Sequence, residues 1–218
     1  MRGRLELTYQ TKKGTEATFT SEDLLAKKAI LLIGDLQKTG RVKSVVFIDT
    51  HENKWTLKEL KKQQEEIQEE PHDVEVYFDG GYDKSLAGLG IVIYYEQRQK
   101  TYRKRKNARI EQILNNNEAE YAALHLAVQE LEELGVHHLP VTFFGDSQVV
   151  IKQMSGEWPC YEVELVKWAD RIDERLEQLG IQATYQLIPR NENKETDQLA
   201  IQALKRIEIS SVMEINKA

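Results

Sequence analysis

The stretch LKELKKQQEEIQEEPHD, residues 57–73, constrains this chain most. It is dense in charge, loses its large apolar residues towards its end, and closes on Pro71. Such a run cannot cross the middle of a core. It reads as a helix passing into a linker, so the chain must build two cores, one on each side. The boundary falls near residue 70: a unit of residues 1–70 and a unit of residues 71–218. Charge divides there too. Residues 1–70 carry 13 basic and 12 acidic residues, and residues 71–218 carry 17 and 24, so the overall −6 comes from the second unit (+1 and −7).

The first unit reads as small α+β. RLELTYQ alternates as a strand, and KKGTEATFT follows a Lys-Gly turn as its hairpin partner. A helix is expected through residues 20–40, capped by Thr20 with Asp23, with Leu24, Leu25, Ile30, Leu31 and Leu32 on its apolar side. VKSVVFID is a further strand, and Thr56 with Glu59 forms a capping box for a second helix. Trp55 fits the core. Lys12, Lys13, Lys27, Lys28, Lys38, Arg41 and Lys43 can form a basic face, but the small net charge makes a module for a protein partner or for self-association equally reasonable.

The second unit has the order β-β-β-α-β-α-α-β-α. Three successive strands followed by alternating helices and strands imply an α/β fold, a mixed five-stranded sheet with helices on its faces. The only cysteine, Cys160, excludes an internal disulfide and a cysteine metal cluster. No apolar run approaches a membrane span, and the N-terminus lacks the core of a signal peptide, so a cytoplasmic location without a membrane partner is expected.

Four acids carry the functional question. Asp79 sits in YFDGG, where Asp-Gly is also a turn pair. Glu120 lies three residues after Asn117, where it can complete a capping box. Asp146 follows the apolar VTFFG and can cap the next helix. Asp197 lies in the first turn of the last helix, with Asn193 as its cap. Each explanation suffices alone. Together, three of the acids fall at strand ends or helix starts that can meet at one sheet edge, the usual site position in open α/β sheets. Carboxylates gathered there repel unless a cation intervenes, and hard divalent ions are the natural choice.

Asp79-Gly80, Asn116-Asn117-x-x-Glu120, Asp146-Ser147-Gln148 and Asn193-x-x-x-Asp197 follow the order and spacing of ribonuclease H type 1, and residues 73–208 resemble that family throughout. The resemblance implies endonucleolytic hydrolysis of the RNA strand of RNA–DNA hybrids, leaving 5′-phosphates, with two Mg²⁺ or Mn²⁺ ions held by Asp79, Glu120, Asp146 and Asp197. It implies substrate contacts from Gly80, Asn116, Asn117, Ser147, Gln148 and Asn193. Three departures stand out. The basic protrusion of many bacterial members is replaced by the short, acidic MSGEWPCYEVE, which keeps Trp158. None of the five histidines lies in the loop before Asp197, where Arg190 is the nearest candidate for touching phosphate. The glycine-rich turn after the first acid is GYDKSLAGLG. The basic run of residues 98–109 is either edge protection for the sheet or a phosphate track. Two rivals remain at this level: a binding module that keeps the acids as caps, and a nuclease of the same fold acting on another duplex.

Overall fold

A computed structural model of the chain describes residues 1–216, with the side chains of all but residues 66–68. The last two residues of the expected second domain lie outside the described residues. The chain forms two compact units, Met1–Ile67 and Gln68–Ala218.

In the first unit, β1 (Arg2–Gln10) pairs antiparallel with β2 (Glu16–Thr20), with the short β3 (Leu24–Leu25) and with β4 (Val42–Asp49), and β4 pairs with β5 (Lys54–Trp55). Helices α1 (Ala26–Lys38) and α2 (Leu57–Glu69) complete it. Its core joins Leu5, Ala26, Ala29, Ile33, Phe47 and Leu60, with Trp55 packed against them. The Thr56–Glu59 capping box forms: Glu59 Oε2 accepts the Thr56 N–H at 2.7 Å, and Thr56 Oγ1 accepts the Glu59 N–H at 3.3 Å. The start of α1 differs from the sequence expectation. Leu24 and Leu25 pair with Gly3 and Arg2 as strand, so α1 begins at Ala26, with no side-chain cap from Thr20. Its buried face is Ala26, Ala29 and Ile33, while Leu31 and Leu32 face outward. A run of apolar residues does not mark which stripe the sheet covers; small alanines allow the closer approach.

In the second unit, β6 (His72–Asp83), β7 (Leu86–Gln97) and β8 (Lys100–Glu111) form an antiparallel meander. Then come α3 (Asn116–Glu133), β9 (Pro140–Gly145), α4 (Gln148–Met154), α5 (Val163–Gln178), β10 (Gln182–Leu187), a 3₁₀ turn (Arg190–Glu192) and α6 (Lys194–Leu204). β9 runs parallel to β6, and β10 parallel to β9. All five expected strands are present. A sixth, β11 (Ser210–Ile215), pairs antiparallel with β8, giving the order β10-β9-β6-β7-β8-β11. Among the described residues, no helix is long and apolar enough to cross a membrane.

Helices α3 and α6 cover opposite faces of the sheet, and glycines set how close they come. A Cβ on Gly80 would lie 2.2 Å from the backbone of Ala119 on α3, and one on Gly90 would lie 2.1 Å from the Thr196 carbonyl oxygen on α6. No L side chain fits either place. The two helices therefore touch the sheet backbone beside Asp79, bringing Glu120 of α3 and Asp197 of α6 to the same end of the sheet.

The basic run on β8 is neither edge protection nor an open track. β11 covers residues 101–106. Alternate side chains reach acids on opposite faces: Lys104 lies 2.6 Å from the buried Glu130 of α3, joined there by Lys106, while Arg103 and Arg105 lie 3.3 and 3.7 Å from Glu195 of α6. Arg98, Lys100 and Arg109 face Glu69, Glu214 and Glu111. Each of the seven cations thus has an acidic neighbour. Burial raises the Glu130 carboxyl and the two lysines lower it further, so it stays below its usual range.

Two outcomes are expected. Gly90→Ala pushes α6 off the sheet and lowers stability by about 2–3 kcal/mol in denaturant titrations. Glu130→Ala leaves Lys104 and Lys106 beneath α3 with only the more distant Glu133, at 3.7 and 3.8 Å, and costs about 3 kcal/mol by the same measurement.

Candidate active site

The start of α3 answers why two acids stand close together in NNNEAE. Asn115 is the cap, and its Oδ1 accepts the Glu118 N–H at 2.9 Å. Glu118 returns the contact, accepting the Leu114 N–H at 2.7 Å, and its other oxygen accepts the Trp168 indole N–H of α5 at 3.1 Å. The capping box is therefore Asn115 with Glu118, two residues earlier than the expected Asn117 with Glu120. The shift leaves Glu120 no capping duty. It is 5% exposed, and its Oε2 accepts the Gly80 N–H at 3.3 Å.

The structural explanations of Asp79 and Asp146 fall in the same way, while Asp197 keeps its place in the first turn of α6. Asp79 is not in a turn: β6 runs on to Asp83, and the reversal is made by Lys84 and Ser85, both at positive φ. Asp146 does not cap α4; Ser147 does, accepting the Val150 N–H at 3.5 Å. Asn193 occupies the cap position of α6 but its side chain is used elsewhere. Its Nδ2 donates to Asp146 Oδ1 and to the Phe78 carbonyl, each at 2.9 Å, and its Oδ1 accepts from Thr196 Oγ1 at 2.6 Å.

Asp79, Glu120 and Asp146 each offer a carboxylate oxygen within 4.8 Å of the other two. Asp79 follows the stretch of β6 that pairs parallel with β9, and Asp146 follows the end of β9, so both stand at carboxyl ends of parallel strands. Asp197 lies outside that tight group but lines the same cleft of about 760 Å³, where Arg190 Nη2 sits 3.3 Å from its Oδ1.

The gathering of charge has a measurable consequence. Burial, and then the negative charges of Asp146 and Asp197, push the Asp79 carboxyl up to about 7. Burial, Asp79 and Asp146 raise Glu120 well above the usual carboxylate range. The donor set fits a hard divalent cation: oxygen donors facing one another, Asp79 and Glu120 buried and Asp146 half-buried, with the Arg190 guanidinium at the rim.

Of the expected contact residues, Gly80, Asn116, Ser147, Gln148 and Arg190 line the cleft. Asn117 does not line it, and Asn193, 2% exposed, lies beneath it as the brace of Asp146. Thr196, Leu187, Ile188 and Pro189 belong to no motif that the sequence displays; the last three wall the cleft. Only the arrest of β10 beside the end of β9 marks them, and that is a tertiary fact. Trp158 is 43% exposed.

In the cation-free protein these carboxyls keep protons in the folded state after the unfolded chain has lost them. Stability therefore falls as pH rises from 3.8 through about 7. Asp79→Asn should raise Tm of the cation-free protein at pH 8 by about 5 °C, and Mg²⁺ or Mn²⁺ should raise Tm of the unsubstituted protein far more than that of the variant. Calorimetry across pH checks both.

Residues 77–203 match the reverse transcriptase-like family. Along 100% of its length the chain is 41% identical to the uncharacterized protein YpeP of Bacillus subtilis (strain 168), covering 97% of that protein. Among solved structures it is similar to RNase H1 from the halophilic archaeon Halobacterium salinarum NRC-1 (28% identity, TM-score 0.53, 61% of this chain and 98% of that one). It is similar also to LC11-RNase H1 in complex with an RNA/DNA hybrid (27% identity, TM-score 0.55, 62% of this chain and 98% of that one). Sequence match, strand order and clustered acids agree: the chain belongs to the reverse transcriptase-like family, and its second unit is a ribonuclease H-like domain of type 1.

Proposed function

We propose that the second unit is a divalent-metal-dependent endoribonuclease that hydrolyses the RNA strand of RNA–DNA hybrids, leaving 5′-phosphate and 3′-hydroxyl ends. The observation that carries this reading is the convergence of Asp79, Glu120 and Asp146 in one cleft, with Glu120 and Asp146 relieved of the capping duties that would otherwise explain them.

Asp79, Glu120, Asp146 and Asp197 would hold two Mg²⁺ or Mn²⁺ ions. Such ions, when bound, supply a water of lowered pKa as nucleophile and neutralise charge on the departing 3′-oxygen. The protein's own residues do the rest. Asn193, fixed by Phe78 and Thr196, keeps the Asp146 carboxylate from rotating. Arg190, the one cationic side chain lining the cleft among the described residues, offers N–H donors to non-bridging phosphate oxygens and leaves Asp197 as substrate enters. Asn116 and Gln148, at the starts of α3 and α4, open onto the cleft, where amide groups can read the wide minor groove and its 2′-hydroxyls. The family likeness and the hybrid bound by LC11-RNase H1 support that substrate.

The test is a labelled RNA–DNA hybrid incubated with the purified protein in Mg²⁺ and in Mn²⁺. Cleavage of the RNA strand alone is expected, with Asp146→Asn slower by about a thousandfold or more. Arg190→Ala should lose about tenfold to a hundredfold in kcat, because its charge is needed most on the reacting phosphate. Hybrid binding without cleavage in either metal would instead make this a binding module.

A further inference from the structure

A second group of metal-ligand side chains lies at the far end of the β6–β7 hairpin from the acidic cleft. His72, Asp73 and Glu96 each present one ligand atom, and the three atoms lie within 4.8 Å of one another. His72 is seven residues before Asp79 on the same strand, so the two groups are about 20 Å apart. We propose that His72, Asp73 and Glu96 form a binding site for a first-row transition ion of the zinc class.

Adjacent residues of a regular strand point to opposite faces, so His72 and Asp73 should not reach one partner. Here the register of β6 on β7 shifts between His72 and Glu75, and Asp73 takes φ 51°. The bulge turns both side chains towards Glu96, which pairs with His72 across the ladder. Bulges re-aim side chains in this way.

The imidazole is set for ligation. Its Nδ1 lies 3.1 Å from the Glu70 carbonyl oxygen, an acceptor only, so Nδ1 carries the proton and donates it there. Nε2 of the neutral ring then presents a lone pair, and it is Nε2 that faces Glu96. A backbone carbonyl behind a metal-binding histidine is the usual device for fixing that tautomer. Nε2 and Glu96 Oε2 are 3.9 Å apart, too far for a hydrogen bond. Two atoms bound to one ion at about 2.1 Å each stand roughly 3.0–4.2 Å apart, so the gap matches a shared ion. One imidazole with two carboxylates favours zinc, cobalt or nickel over Mg²⁺, which takes oxygen ligands. His72 and Glu96 are half-buried and Asp73 is exposed, so an ion enters from solvent and keeps water in its remaining positions. Bound there, it would pin the start of β6 to the end of β7.

The test titrates Zn²⁺ into the full chain by calorimetry, with His72→Ala, Glu96→Gln and Asp146→Asn as separate variants. The expected result is a saturable site that survives in Asp146→Asn and disappears in both His72→Ala and Glu96→Gln. In the Asp146→Asn background Zn²⁺ should also raise Tm, and the rise should vanish when His72→Ala is added. Zn²⁺ binding in His72→Ala and Glu96→Gln equal to that of the unsubstituted chain overturns the proposal. So does the absence of saturable binding in Asp146→Asn, which would leave His72 and Glu96 as an ordinary ion pair.

Discussion

Three carboxylates facing one another, two of them buried, are unfavourable without a cation, and the second unit is arranged around holding them there anyway. Asp79 and Asp146 are fixed by parallel pairing of β6 with β9, and Glu120 is brought in by a helix resting directly on a strand. The raised carboxyls of Asp79 and Glu120 express the cost of that arrangement. A fold that gathers like charges this way has its repulsion offset elsewhere, here by close glycine contacts and by the Asn193 brace rather than by a local ion pair on each acid.

The same logic of opposite charges governs the outer half of the sheet. β8 places cations on both faces, and Glu130 and Glu195 meet them from α3 and α6. Those two helices also carry Glu120 and Asp197. The ion pairs beneath the helices and the acids at their starts therefore belong to the same rigid bodies. A buried pair of this kind adds little net stability but strongly resists losing one partner, so it locates the helices more than it strengthens the fold.

Much of this is legible in the order of the residues alone. Alternation marks the strands of the second unit, and the spacing of Asp79, Glu120, Asp146 and Asp197 marks the family. Local signals are less dependable where two residues compete for one role. Asn115 and Asn117 are both good caps, and Glu118 and Glu120 both good box partners. Trp168, fifty residues away from Glu118, decides the choice by donating to it. The six residues of β11 show no clear strand pattern because their pairing partner, not their own periodicity, makes them a strand. The α1 leucines mislead for a related reason: hydrophobicity says that a face can be buried, not that a sheet is there to bury it.

By itself the sequence determined the order of the five main strands and the helices of the second unit, and it singled out the four acids that line the cleft. These follow from periodicity, charge and turn chemistry, all of which act between residues near in the chain. Only the tertiary structure decided which acid caps a helix and which faces the cleft, that Asn193 braces Asp146 from below, and that the basic strand is neutralised on both faces. Those outcomes depend on atoms brought within about 3 Å of one another from positions tens of residues apart, and at that range hydrogen bonding and charge choose between roles that are equal in the sequence.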